Sequence, residues 1–275
     1  EKLRIGKEWM EQSNANPIVF IDRFFYTFDP RLTQPHIRFR LFDYQMALVE
    51  EIKTAIEQGE DIFIDKSRDV GATYTTLATF LWFWRYIPGS NFLVGSRKED
   101  YVDNRFGNKK NDELSNKEES LFGKMDYMLR KLPSFMLPDK FDFKNHNGYM
   151  KILNPENGNA IIGESSNPDF SRSGRFKAIL LDEFAFWDND KQAWGSTADS
   201  TNCRIVLTTP GIKPSKAKRL RFGKDGEKIK VIEIDYKQDP RKTKEWFSHE
   251  KERRSDEDLA REIQRNWETS IKGRV

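Results

Sequence analysis

Residues 61–73, DIFIDKSRDVGAT, carry a short β-favouring run into a polar turn with one glycine. The apolar, helix-forming segment ATYTTLATFLWFWRYI starts at the end of that turn. Strand, tight turn and buried helix in this order is the setting in which backbone N–H groups hold phosphate oxygens. The segment departs from the usual pattern G-x-x-x-x-G-K-[ST]. Lys66 stands at the first glycine, Ala72 at the lysine, and Gly71 and Thr73 are kept. The exchange is physically tolerable, because main-chain amides along Ser67, Arg68, Asp69, Val70, Gly71 and Ala72 do not depend on side-chain identity. Lys66 is long enough to reach β- and γ-phosphates across the loop, Arg68 offers a second cation, and the Thr73 hydroxyl suits Mg²⁺ beside ATP.

A second element raises the value of the first. AILLDEF, residues 178–184, is an apolar strand ending in two consecutive carboxylates. Asp182 at the strand end is placed to orient Mg²⁺, and Glu183 to polarise an attacking water. RIVLTTPG, residues 204–211, ends another strand in Thr208 and Thr209, hydroxyls able to meet the γ-phosphate or Glu183 and report hydrolysis. FDYQ, residues 42–45, lies on the helix before the first strand; Gln45 can read the edge of adenine and Tyr44 can stack on it. The plain alternative for FDYQ is an amphipathic helix with a surface glutamine.

These residues need elements to carry them. Helical spacing runs over 41–57 and stops at Gly59; strands are predicted at 61–65, 91–95, 178–182, 204–208 and 230–235, with a hairpin over 150–163. A helix near 118–131 and two closing helices, the second opened by Ser255–Asp258, complete the reading. Strands alternating with helices imply an α/β fold: a mostly parallel central sheet, helices on both faces and a small C-terminal helical appendage. Ligands of such sheets bind beyond the carboxyl ends of the strands. The expected divisions are an N-terminal extension over 1–38, a core over 39–238 and a helical linker over 239–275.

At 275 residues and 37% hydrophobic the chain can bury one large core. Its one cysteine, Cys203, excludes an internal disulfide and a multi-cysteine zinc site, which fits a reducing compartment. No apolar run reaches the length of a membrane span. The net charge of +3 does not announce nucleic acid, but KPSKAKRLRFGK, residues 213–224, is strongly basic. It is either a solvated surface or a segment that contacts DNA phosphates. The chain opens at Glu1 rather than Met, which leaves room for it to be a piece of a longer protein.

From about Phe39 onward, the ordered motifs FDYQ, KSRDVGAT, LLDE and TTPG resemble the ATPase domain of phage terminase large subunits, as does SRSGRF at 171–176. The early lysine of the phosphate loop carries most of the likeness. The resemblance implies a P-loop NTPase of the RecA-like, ASCE type that hydrolyses ATP with Mg²⁺ to drive double-stranded viral DNA into a procapsid. It implies portal protein and terminase small subunit as partners, a homo-oligomeric ring, and the host cytoplasm as the place of work. It also implies an arginine delivered by a neighbour, with Arg172 the first choice and Arg175 the second. The family's nuclease half is expected to follow this chain, with EIQRNWETSIKGRV leading into it. Two alternatives stand beside this reading: a helicase-like translocase, for which too few residues follow TTPG to form a second lobe, and a nucleotide-binding or portal-docking module without hydrolysis, kept open by Ala72.

Overall fold

A computed structural model describes residues 2–106, 119–172, 174–211, 213–224, 226 and 228–268. The chain begins with helices α1 (Lys2–Ala15) and α2 (Pro17–Phe24) and a small hairpin, β1 (Tyr26–Phe28) with β2 (His36–Arg38). Then come α3 (Asp43–Gln58), β3 (Ile62–Lys66), α4 (Ala72–Tyr86), β4 (Phe92–Ser96), α5 (Glu99–Val102), α6 (Leu121–Lys131) and α7 (Phe143–His146). The middle of the chain supplies β5 (Asn147–Gly148), β6 (Lys151–Leu153), β7 (Ala160–Ser165), β8 (Ala178–Asp182), α8 (Asp190–Ser196) and β9 (Arg204–Thr208). It closes with α9 (Lys216–Arg221), β10 (Lys230–Ile234), α10 (Lys244–Arg253), α11 (Asp256–Asp258) and a π-helical turn, Leu259–Ile263.

The large sheet has the order β10-β3-β9-β8-β4-β7-β6-β5. It is parallel from β10 to β7 and antiparallel over β6 and β5, so the hairpin expected at 150–163 forms and its second strand joins the parallel set. Two strands start one residue later than the sequence suggests, at Ile62 and Phe92. Every residue of β3, β4 and β8 is buried, as expected when helices cover both faces. One face packs under α3, α4 and α6, around Leu48, Phe80, Phe83 and Phe122; the other packs around Phe170, Trp187, Trp194 and Leu220. Because β3, β9 and β8 are adjacent and parallel, the loops after Lys66, Thr208 and Asp182 emerge side by side.

Helix α3 ends at Gly59 in the left-handed conformation (φ 69°), where glycine avoids the Cβ penalty. Helix α4 is buried nearly all round although it holds three buried threonines. Thr75, Thr76 and Thr79 return their hydroxyls to the carbonyls of Gly71, Ala72 and Thr75 at 3.1, 2.9 and 2.9 Å.

Helix α2 and the residue after it pack into the main core through Phe20, Ile21, Phe24 and Phe25, and Trp82 of α4 donates its indole N–H to Ser13 O at 2.6 Å. The helix expected near 118–131 is observed as α6, and residue 118 lies outside the described residues. Ser255 accepts the amide of Asp258 at 3.1 Å, as its capping role requires. Residues 269–275, the end of EIQRNWETSIKGRV, also lie outside the described residues.

Candidate nucleotide site

Lys66 is the last residue of β3 and only 6% exposed. Its ammonium donates to Glu183 Oε1 at 3.0 Å. Burial opposes its charge, but Glu183 and Asp182 outweigh that and hold its pKa above the ordinary lysine value. Beside this pair, Thr73 Oγ1 donates to Asp182 Oδ1 at 3.1 Å. Burial, and then the neighbouring Glu183 carboxylate, push Asp182 up to about 7, with Lys66 acting in the opposite direction. Two carboxylates, a lysine and a threonine hydroxyl therefore meet where β3 and β8 end and α4 begins. A hydroxyl and a carboxylate oxygen this close are hard donors of the type Mg²⁺ takes, so the pair fits that ion.

Glu183 is set in an unusual backbone position, left-handed with φ 52°. Four contacts hold it there. Trp187 Nε1 donates to Asp182 O at 2.9 Å, Phe186 N donates to Glu183 O at 2.9 Å, and Ala185 N donates to Thr208 Oγ1 at 3.2 Å. Gly211 comes so close that a Cβ there would lie 2.7 Å from Ala185 O. Thr208 itself donates to Thr209 O at 2.8 Å. The threonine pair at the end of β9 is thus joined to the turn that aims Glu183. Trp187 was missed in the sequence; its visible signal was the aromatic run that directly follows the acidic pair.

The phosphate loop is divided by its hydrogen bonds. Ser67 N and Arg68 N are committed to Ile234 O (2.8 Å) and Glu262 O (2.7 Å). The amides of Asp69, Val70, Gly71, Ala72 and Thr73 have no protein acceptor among the described residues, which leaves them for an anion at the start of α4. Asp69 and Gly71 adopt positive φ (59° and 73°), the local bend that turns consecutive amides toward one point. Arg68, expected to face the γ-phosphate, instead lies on Glu262 with Nη1 to Oε2 at 3.2 Å.

Tyr44 and Gln45 are buried beneath this loop. Tyr44 Oη and Gln45 Nε2 both donate to Val70 O, at 2.8 and 3.2 Å, and Gln45 Oε1 accepts Phe42 N at 3.0 Å. In the structure both brace the loop from below rather than offer a free edge to a base. A Cβ at position 71 would lie 2.6 Å from Gln45 Nε2, in a backbone conformation that already disfavours a side chain. Gly71→Ala should therefore cost about 2 kcal/mol and lower the melting temperature by roughly 5 °C, with weaker nucleotide binding. Calorimetric melting checks this, and an unchanged melting temperature with unchanged nucleotide affinity would contradict it.

Arg172 and Arg175 lie elsewhere. Both line a cavity of about 610 Å³ between the loop before β8 and helix α8, with Asp169, Gln192 and Ser196 also on its wall. Arg172 pairs with Asp169 at 3.2 Å and is 68% exposed. Among the described residues, no hydrogen bond or ion pair joins either arginine to the phosphate loop or to Asp182–Glu183. Ser173 of SRSGRF lies outside the described residues.

The basic run 213–224 is partly taken up by the fold. Lys218 donates to Trp267 O at 2.6 Å, Arg221 pairs with Asp65 at 2.8 Å, and Lys216 is 9% exposed. Lys213 is 80% exposed and pairs with Asp188 at 3.7 Å. Arg219 and Lys224 are exposed as well, so the run divides into residues held by the fold and residues that face outward.

Comparison with known proteins bears on this geometry. Residues 63–269 match the family model described as terminase large subunit, T4likevirus-type, N-terminal. No curated protein is similar enough in sequence to match. Among solved structures, the large terminase of a thermophilic bacteriophage in complex with ADP is similar with a TM-score of 0.58 and 14% identity, over 82% of this chain and 53% of that one. The large terminase ATPase domain of Thermus phage P74-26 is similar with a TM-score of 0.52 and 13% identity, over 83% of this chain and 100% of that one. The HK97 bacteriophage large terminase is similar with a TM-score of 0.54 and 13% identity, over 81% of this chain and 43% of that one. The chain thus spans about half the length of the thermophilic-phage protein, and at these identities the likeness establishes the fold.

Proposed function

From the premise that this chain belongs to the terminase large-subunit family, in the N-terminal, T4-like part that its matched residues cover, we propose that it hydrolyses ATP to drive double-stranded DNA into a procapsid. The observation that carries the reading is the convergence of Lys66 on Glu183 and of Thr73 on Asp182 at the carboxyl ends of β3 and β8. The large terminase of the thermophilic bacteriophage has been seen with ADP and with ATP-gamma-S, which supports nucleotide as the ligand class.

In this reading the amides of residues 69–73 bind the phosphates. Tyr44 and Gln45 keep the loop in shape beneath them, near the adenine end of the site. Lys66 shares its charge between Glu183 and the β- and γ-phosphates. Thr73 and Asp182 would hold Mg²⁺, and the ion would supply positive charge that screens the phosphates. Glu183, preset by its turn, accepts a hydrogen bond from a water in line with the γ-phosphate and takes its proton as the new P–O bond forms and the bond from the γ-phosphorus to the β–γ bridging oxygen breaks, that oxygen leaving with ADP. ADP and inorganic phosphate are the products. Thr208 and Thr209 pass loss of the γ-phosphate to the rest of the domain through the Ala185 turn.

Arg172, exposed and outside its own site, is proposed to act on a neighbour's γ-phosphate in a homo-oligomeric ring, with Arg175 the second choice. Portal protein, terminase small subunit and DNA are the proposed partners, and the host cytoplasm the place of assembly. No helix among the described residues is long and apolar enough to cross a membrane. An arginine supplied in trans contributes ~10³–10⁵ in rate, so complementation tests it. Arg172→Ala keeps an intact site and Lys66→Ala keeps an intact arginine; each alone should be nearly inactive, and mixing them should restore turnover. Failure of the mixture to exceed the sum of its parts would remove Arg172 from the role.

A further inference from the structure

Asp69 keeps a left-handed backbone, φ 59°, in the middle of the phosphate loop. A Cβ disfavours that region, and glycine is the residue that takes it freely. The turn nevertheless matters, because it helps to aim the open amides of residues 69–73. On either side of Asp69 the main chain is pinned by hydrogen bonds to its carbonyls. Lys242 Nζ donates to Arg68 O at 2.6 Å, and Tyr44 and Gln45 donate to Val70 O. Asp69 is held through its side chain instead, with Oδ2 accepting from Arg31 Nη2 at 3.3 Å.

Arg31 lies on the loop between β1 and β2, outside residues 63–269 that match the terminase family. It is 70% exposed, but it is already fixed before it meets Asp69. Its Nε and Nη2 donate to Asp29 Oδ1 and Oδ2, both at 2.8 Å, the two-pronged geometry that sets a guanidinium plane. The hairpin that carries it is anchored in turn. Tyr74, in the first turn of α4, donates its hydroxyl to Tyr26 O, and Phe39 meets the Tyr74 ring edge-on at 4.9 Å. At the far strand, His36 shares a hydrogen bond of 2.9 Å with Tyr127 of α6. The side-chain ordering that usually erodes a surface ion pair has therefore been met by Asp29 and the hairpin.

We infer that Arg31 is a positioning residue for the phosphate loop: the N-terminal hairpin presents it to Asp69 and so holds the left-handed turn that aligns the loop amides. The inference rests on the reading of residues 69–73 as the phosphate-binding amides. Arg31 acts through Asp69 and touches no phosphate, so its loss weakens ADP and ATP-gamma-S alike.

The test is calorimetric binding of both nucleotides to the whole chain and to three variants. Arg31→Gln should weaken each nucleotide about two- to five-fold. Adding Asp69→Gly should restore the affinity of the unmodified chain, because glycine takes the turn unaided. Adding Asp69→Ala instead should leave binding weak, since alanine removes the same charge but keeps the Cβ. Recovery with alanine as well as glycine would reduce Arg31 to cancelling the charge of Asp69. Recovery with neither would make Arg31 a direct ligand of the nucleotide, and an effect confined to ATP-gamma-S would put it on the γ-phosphate. Each of these, like unchanged binding by Arg31→Gln, would overturn the inference. An unmodified chain that binds neither nucleotide would instead overturn the reading of the loop as the ATP site, and the inference with it.

Discussion

Lys66→Ala lowers ATP turnover by about 10²–10³-fold, the loss expected when a single preorganised donor to a developing phosphate charge is removed. The size follows from where the lysine sits. It ends an all-buried strand, is 6% exposed, and is the cation in contact with Glu183. No lysine stands at position 72, where the usual loop would carry one; Ala72 is 2% exposed at the first position of α4. Removing the ammonium also leaves Asp182 and Glu183 to face each other without it, and the repulsion raises Asp182 further from a value already near 7. Nucleotide affinity and rate should therefore fall together. Phosphate release and nucleotide binding by the variant check this. Turnover within a few-fold of the unmodified chain would show that the loop does not depend on its early lysine.

Glu183→Gln should behave differently. The amide keeps the size of the side chain and can still accept from Lys66, so the Ala185 turn and its bond to Thr208 need not move. What is lost is the carboxylate proposed to take a proton from water, a contribution of ~10²–10⁴ in rate. Nucleotide binding should survive, because the loop amides and Lys66 remain. A variant that binds ATP and does not hydrolyse it separates Glu183 from every residue whose loss weakens binding. If instead it turned over ATP at the unmodified rate, Glu183 would be only the salt-bridge partner of Lys66, and the base would have to be sought elsewhere.

Much of this site was legible because it depends on local pattern. Apolar runs fixed the strands within a residue, and the adjacency of β3, β9 and β8 brings Lys66, Thr208 and Asp182 together without any long-range guess. The uses of individual side chains were less legible, because partners distant in sequence decide them. Gln45 and Tyr44 belong to Val70, Arg68 to Glu262, and Lys218 to Trp267. Nothing in KERRSDEDLARE distinguishes Glu262 from the other charges around it. The basic run 213–224 shows the same limit: charge density is visible in a sequence, but Asp65, which receives Arg221, lies on a strand 156 residues away. The N-terminal residues carry no motif, yet Phe20 and Ile21 are core.

Whether this chain is a motor completed by its neighbours is decided by phosphate release from saturating ATP as the concentration of the unmodified chain is raised. Turnover per chain should rise toward a plateau if Arg172 acts, as proposed, on a neighbour's site. Bound ATP with no phosphate released at any concentration would contradict this, and would leave a nucleotide-binding module in place of a motor.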